Sequence, residues 1–225
     1  MKTRFIILTT LFFSLVGCVE IIDDLSLNAD GSGVFRYTIN LSSSKVKINS
    51  LLALDSLDGK KVPTIGEISR KSNKIIDLLK TKEGISEVTY NADYDNFVFK
   101  LKCEFSSLEA LQNAIRDVVK SENGNKDIPE LEQTWLTFES DKLVRSIPQI
   151  AVKKTKEINI DDRALLKKGS YTSITRFYKE VDHYDNESCA VSKNKKAVMI
   201  RTDPYSLTQN PNLLDNSIYL VKTGE

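Results

Sequence analysis

Two stretches of the sequence decide the fold: IIDDLSLNADGSGVFRYTINL at residues 21–41 and ISEVTYNADYDNFVFKLKCEF at residues 85–105. In the second half of each stretch, apolar and polar side chains alternate with a period of two, which is typical of a strand with one buried face. Asn and Asp residues in the middle of each stretch, joined by Gly in the first, favour a turn. Each stretch therefore predicts an antiparallel β-hairpin.

The two hairpins resemble each other, since Asn-Ala-Asp occurs at residues 28–30 and again at residues 91–93. A helical pattern follows each hairpin. The first is weak and covers residues 43–57. The second is a clear amphipathic stripe in which Ser106 and Glu109 have the spacing of a capping box.

A third and looser unit of the same kind begins at Cys189. It has a turn through residues 193–195, a strand over 197–201 and a short helix over 204–210. Duplication of one ββα unit and independent use of common hairpin residues both explain this recurrence.

The remaining elements complete the prediction of the fold. Thr64 and Glu67 have capping-box spacing ahead of a helix that Gly84 ends. Further strands are predicted as a hairpin over 135–147, one long strand over 171–183 and a last strand over 217–221. Strand pairs followed by helices predict an α+β fold, in which an antiparallel sheet built from successive β-hairpins carries helices on one face.

The N-terminus predicts export and anchoring. Residues 1–17 combine two basic residues, a short apolar run and a small residue, which is the pattern of a signal peptide. The sequence Leu15-Val16-Gly17-Cys18 resembles the lipobox of bacterial lipoproteins. That resemblance implies cleavage before Cys18, a diacylglycerol on its thiol and an acyl chain such as palmitate on its amino group. In such lipoproteins of Gram-negative bacteria, a residue other than Asp after the cysteine, here Val19, implies export to the outer membrane. We expect the protein to face the periplasm, although Val19 itself does not determine the face.

Composition limits the function of the exported part, residues 18–225, which we expect to form a single α+β domain with a candidate boundary near 148–170. The whole chain has 32 basic and 31 acidic residues, and this near-neutral balance argues against nucleic-acid binding. The single histidine, His183, stands beside Asp182 without a second His or Cys ligand nearby. We therefore expect no catalytic residue, no metal and no cofactor.

Two sets of side chains are candidates for other roles. Cys103 and Cys189 can form a disulfide in an oxidising periplasm, or they are two small buried apolar residues. Two basic clusters can contact anionic head groups, or they are simply solvated. These clusters are Lys153, Lys154 and Lys156, and Lys193, Lys195 and Lys196.

A family resemblance adds to this interpretation. The lipobox followed at once by a strand, the turn at 30–33, the strand at 35–41 and the distal run Ser188-Cys189-Ala190-Val191 resemble a group of mostly uncharacterised lipoproteins, common in Bacteroidetes and similar in layout to the LppM domain. The resemblance implies an α+β fold that can hold a lipid or lipoglycan.

Two hypotheses follow for the function. The first is a non-catalytic envelope lipoprotein that binds a lipid or other amphiphile at the membrane surface. The alternative is a scaffold or accessory subunit of an envelope protein complex. The first predicts an apolar cavity that opens near Cys18, whereas the second predicts an exposed apolar patch or an unpaired sheet edge.

Overall fold

The computed structural model describes residues 19–57, 59–124, 128–147 and 166–222. The strands of this part are, in chain order, β1 (Glu20–Leu27), β2 (Gly33–Asn40), β3 (Ser56–Leu57), β4 (Lys60–Lys61), β5 (Ile85–Asp93), β6 (Val98–Phe105), β7 (Leu136–Glu139), β8 (Lys142–Arg145), β9 (Ser170–Phe177), β10 (Val181–Tyr184), β11 (Cys189–Val191), β12 (Ala197–Thr202) and β13 (Asn216–Leu220). The helices are α1 (Lys45–Leu52), α2 (Ile65–Lys80), α3 (Leu108–Glu122) and α4 (Pro204–Gln209). These elements confirm the α+β class.

Seven strands form the larger sheet, in the order β11-β12-β9-β1-β2-β6-β5. Both predicted hairpins, β1–β2 and β5–β6, are confirmed, and they lie side by side because β2 pairs antiparallel with β6. One pair departs from the antiparallel pattern: β1 and β9 run parallel, with Glu20 opposite Ser170 and Leu27 opposite Phe177.

A second sheet of four strands has the order β10-β13-β8-β7. The predicted hairpin over 135–147 is confirmed as β7–β8, and β13 is the predicted last strand. The prediction of one long strand over 171–183 is wrong. The chain turns at Tyr178-Lys179-Glu180, so that β9 belongs to the larger sheet and β10 to the smaller one.

The helix starts follow local hydrogen bonding. The capping box of α2 is confirmed, since Thr64 Oγ1 accepts from Glu67 N at 3.2 Å and Thr64 N donates to the Glu67 carboxylate at 2.8 Å. The predicted cap of α3 is displaced by one residue, because Ser107 Oγ, and not Ser106, accepts from Ala110 N. Ser106 N instead donates to Gly84 O at 2.8 Å and remains tied to β5.

The first predicted helix is shorter than expected. The prediction covered residues 43–57, but α1 ends at Leu52 and contains no buried residue. The chain then forms the small separate hairpin β3–β4. In the third unit, β11, β12 and α4 occur as predicted.

One apolar core fills the space between the larger sheet and the elements that cover it. We call this side of the sheet the inner face; Leu25, Cys103 and Phe177 are buried on it. Helices α2 and α3 and the four-stranded sheet cover the inner face.

Most of the candidate domain boundary at 148–170 lies outside the described residues. The part of the chain before it and the part after it each contribute strands to both sheets. No helix within the described ranges is long and apolar enough to cross a bilayer.

Candidate functional site

A cavity of about 370 Å³ lies between the inner face of the larger sheet, α3, the β7–β8 hairpin and α4. Its wall is mostly apolar and part of its boundary is open to solvent. The lining residues are Ile21, Asp23, Leu25, Phe35, Tyr37, Leu111, Ile115, Trp135, Leu136, Arg145, Ser146, Ile147, Leu166, Tyr171, Pro204, Leu207, Thr208, Pro211 and Leu214.

Strand periodicity explains the floor of the cavity. Ile21, Asp23 and Leu25 alternate along β1 and therefore point to the same face. The register places Tyr37 opposite Asp23 and Phe35 opposite Leu25, so both aromatic rings stand on this face as well. Helix α3 lines the cavity on the side opposite the sheet with Leu111 and Ile115, which are four positions apart and therefore lie on the same side of the helix.

The wall of the cavity contains one buried polar cluster, formed by Asp23, Arg145, Tyr171 and Ser173. Arg145 donates to both carboxylate oxygens of Asp23, from Nη1 at 3.0 Å and from Nη2 at 3.1 Å. Ser173 Oγ donates to Asp23 Oδ1 at 3.0 Å, and the Tyr171 hydroxyl donates to Oδ2. The Asp23 side chain is only 5% exposed and that of Arg145 only 14%. Because each buried charge has a partner, the cluster carries no net charge.

Burial and neighbouring charges determine the protonation states of Arg145, Tyr37 and Tyr171. Burial alone would lower the pKa of Arg145, but the Asp23 carboxylate and Tyr171 raise it above its usual value. Burial, and then the Asp23 charge, raises the pKa of Tyr37 to about 12 and that of Tyr171 well above its ordinary value. Both tyrosines therefore stay protonated near neutral pH. The cavity thus offers apolar walls together with the Tyr37 hydroxyl as a neutral donor.

The cavity lies at the end of the sheet where β1 begins. We call this the Val19 end, and it is formed by Val19, Asn40, Val98 and Ser170. The strand register places these residues together: Glu20, next to Val19, lies opposite both Asn40 and Ser170, and Asn40 lies opposite Val98. Val19 is held there, because its carbonyl accepts from Ser170 N at 2.7 Å. Ile21 in the cavity lining is three residues from Cys18, a reach of at most ~10 Å.

The structure describes only part of the predicted site residues. Cys18 and the cluster Lys153, Lys154 and Lys156 lie outside the described residues. Lys193, Lys195 and Lys196 occupy the exposed β11–β12 turn. The turn leads into β12, whose first residue, Ala197, lies opposite Arg176 on β9. Arg176 is six residues along β9 from Ser170 at the Val19 end, which corresponds to about 20 Å. None of these three lysines lines the cavity.

His183 is exposed at 59% of its side chain, with Nδ1 at 2.8 Å from Asp182 Oδ2 and its ring stacked on Tyr219. Across the part of the chain that the structure describes, no three His, Cys, Asp or Glu side chains converge as metal ligands.

The structure contradicts the candidate disulfide. Cys103 in β6 and Cys189 in β11 are both free, and four strands of the larger sheet lie between them. At about 4.8 Å per strand, this separates them by roughly 24 Å along the sheet. A disulfide needs Cα atoms within about 7 Å. The alternative of two small, largely buried residues agrees with the structure, since both pack on the core.

Thiol labelling should report this arrangement. Burial raises the pKa of both Cys103 and Cys189 to about 11, so the reactive thiolate is scarce at neutral pH. We expect slow labelling of the native protein and complete labelling of both thiols after denaturation without reductant. A reduced and denatured sample serves as the control for stoichiometry. Denatured protein that becomes reactive only after reduction would contradict the structure.

Sequence reasoning missed the polar cluster, although part of it carried a signal. Asp23 occupies an inward position between Ile21 and Leu25, where an apolar residue is expected. A carboxylate at such a position needs a buried partner. The partner, Arg145, is 122 residues away and carries no local signal of its own.

Comparison with known proteins gives a structural likeness but no match by sequence. No family model matches the sequence, and no curated protein matches it significantly. Among solved structures, the NMR structure of the folded domain of LppM from Mycobacterium tuberculosis is similar with a TM-score of 0.41 and 10% identity, over 92% of each chain.

Proposed function

We propose that this protein is a non-catalytic envelope lipoprotein that binds one acyl chain of a lipid or other amphiphile in the cavity on its inner face. The observation that supports the proposal is the combination of a partly open, apolar cavity with a fully paired polar cluster in its wall. A few well-placed polar groups in an otherwise apolar concavity are typical of small-molecule sites.

The size of the cavity favours a single chain. Ligand sites commonly measure about 300–1,000 Å³, so a volume of about 370 Å³ is near the lower limit. Transfer of each methylene from water to such a site contributes ~0.8 kcal/mol, which makes one alkyl chain a strongly favoured occupant. Because Asp23 and Arg145 neutralise each other, the wall does not select an anionic head group by charge.

The location of the cavity fits a ligand drawn from a membrane. In this proposal Cys18 is lipidated and holds the protein on the outer membrane, facing the periplasm. The cavity lining begins at Ile21, so the site lies within about 10 Å of the anchor. A short tether keeps the site next to the bilayer, where an acyl chain can transfer without crossing bulk water.

Filling the cavity tests the proposal. Ile115→Trp places an indole in the space that an alkyl chain would occupy, whereas Ile174→Trp makes the same change on β9, where the residue faces away from the cavity. Native mass spectrometry of protein purified from membranes should show a bound acyl species in the wild type and in Ile174→Trp. Ile115→Trp should lose at least about 90% of it, since overfilling a site costs 1–3 kcal/mol or more.

Thermal unfolding of the two variants shows whether each one is folded before occupancy is compared. A wild type that carries no lipid would overturn the proposal. Equal lipid occupancy in Ile115→Trp and Ile174→Trp would overturn the assignment of this cavity.

A further inference from the structure

Residues 45–61, which we call the α1 segment, pack poorly on the rest of the protein at the positions that the structure describes, 45–57 and 59–61. The segment comprises α1, β3 and β4, and α1 has no buried residue. Three of its apolar side chains are strongly exposed: Val46 at 62%, Leu54 at 45% and Leu57 at 44%. Among the described residues, Val46 is the most exposed of the large hydrophobic side chains. Such a group of apolar side chains usually marks a contact surface.

The α1 segment leaves the sheet at the Val19 end. It follows β2, whose last residue, Asn40, pairs with Glu20. Two hydrogen bonds attach the start of the segment and the residues just before it to the β5–β6 turn, which lies at the same end. Leu41 N donates to Phe97 O at 3.0 Å, and Lys45 Nζ donates to Asn96 Oδ1 at 3.2 Å. The α1 segment therefore begins beside the point where the chain continues back to Cys18.

The charge of the α1 segment complements an anionic surface. Its basic residues are Lys45, Lys47, Lys60 and Lys61, against Asp55 and Asp58 as acidic residues. Lys47 and Lys60 are exposed, and Lys61 is exposed but also pairs with the Glu67 carboxylate at 2.7 Å. Apolar side chains flanked by lysines are the composition of elements that lie in the head-group region of a bilayer, where lysines reach the phosphates and the apolar groups enter the acyl boundary.

We propose that the α1 segment is a membrane-docking surface, which inserts Val46, Leu54 and Leu57 shallowly into the leaflet that carries the lipid anchor. The inference rests on the anchoring at Cys18 in the proposed function, but it does not depend on what fills the cavity. Docking through this segment turns the Val19 end, and with it the cavity, towards the bilayer.

An environment-sensitive fluorophore can measure the insertion in the full, lipidated chain. Val46→Cys gives an exposed labelling site, while Cys103 and Cys189 react slowly because burial raises the pKa of each to about 11. Ala29→Cys, exposed in the β1–β2 turn, is the matched control, since the length of β1 places it more than about 20 Å from the Val19 end.

Labelled protein is reconstituted in vesicles of phosphatidylethanolamine and phosphatidylglycerol that contain a spin-labelled lipid, and only protein that floats with the vesicles is measured. We expect a blue-shifted emission and at least about threefold stronger quenching at position 46 than at position 29, as for an interfacial element. Adding Leu54→Asp and Leu57→Asp should reduce quenching at position 46 without unfolding, because both side chains are exposed.

Each failure has a distinct signature. Protein that does not float shows that the anchoring part of the proposed function is wrong. Protein that floats with equal quenching at positions 46 and 29, or with quenching at position 46 unaffected by the two aspartates, overturns the docking surface.

Discussion

Replacing Arg145 by methionine is expected to lower the free energy of unfolding by about 3–5 kcal/mol, because it leaves the buried Asp23 carboxylate without its counter-charge. Methionine keeps much of the length of the arginine side chain, so lost packing contributes little. Urea unfolding followed by circular dichroism measures the change. Ser173 and Tyr171 still donate to Asp23 in the variant, but two neutral donors do not replace a bidentate guanidinium.

Arg176→Met is the matched control for this prediction. Arg176 lies on β9, on the face of the larger sheet opposite to Asp23, where its Nε donates to the Asp24 carboxylate on β1 at 3.0 and 3.1 Å. The Arg176 side chain is 49% exposed and that of Asp24 is 15% exposed. Because solvent reaches half of the Arg176 side chain and screens this pair, Arg176→Met should lose less than about half of the stability that Arg145→Met loses. Combining Asp23→Asn with Arg145→Met removes the unpaired charge and should restore more than about half of the lost stability. Equal losses in Arg145→Met and Arg176→Met would contradict the importance of burial.

A long, flexible tether is expected to separate the two functional hypotheses. We consider a Gly/Ser insertion of about 20 residues between Cys18 and Val19, which gives a mean end-to-end distance of roughly 25 Å. The insertion must precede Val19, because Val19 is packed into the fold. Its carbonyl oxygen accepts from Ser170 N, and it lies so close to Gly169 that a Cβ on that glycine would be 2.6 Å from the oxygen. Lipid occupancy in cells should fall, while folding and anchoring persist, because the cavity no longer stays at the bilayer surface.

The same Gly/Ser sequence added after Glu225 is the control, since it leaves the tether unchanged. Membrane fractionation verifies anchoring in both variants, and mass spectrometry of extracted lipid measures occupancy. A scaffold or accessory subunit would tolerate the insertion, because even a flexible tether keeps the folded part at high effective concentration near its partner. Unchanged occupancy with the long tether would favour that alternative.

The sequence alone determined those elements whose energetics are local. The alternation from Phe35 to Leu41 predicted β2 and its inward face, since a period of two follows from strand geometry itself. Thr64 and Glu67 predicted the start of α2, because a capping box is completed within three residues. Even the error at α3 was small: Ser106 and Ser107 offer the same cap, and a bond from Ser106 to Gly84 decides between them.

Only the tertiary structure decided which distant segments meet. The parallel pairing of β1 with β9 places Glu20 opposite Ser170, and no local pattern encodes a contact between segments so far apart in the chain. The division of the predicted long strand into β9 and β10 has the same origin, because the second sheet exists only after β8 and β13 pair. The cavity wall is the clearest case: Asp23 meets Arg145 across 122 residues and Tyr171 across 148. A buried charge requires a partner, but its position in the sequence says nothing about which side chain will supply it, since that choice is made by the fold as a whole.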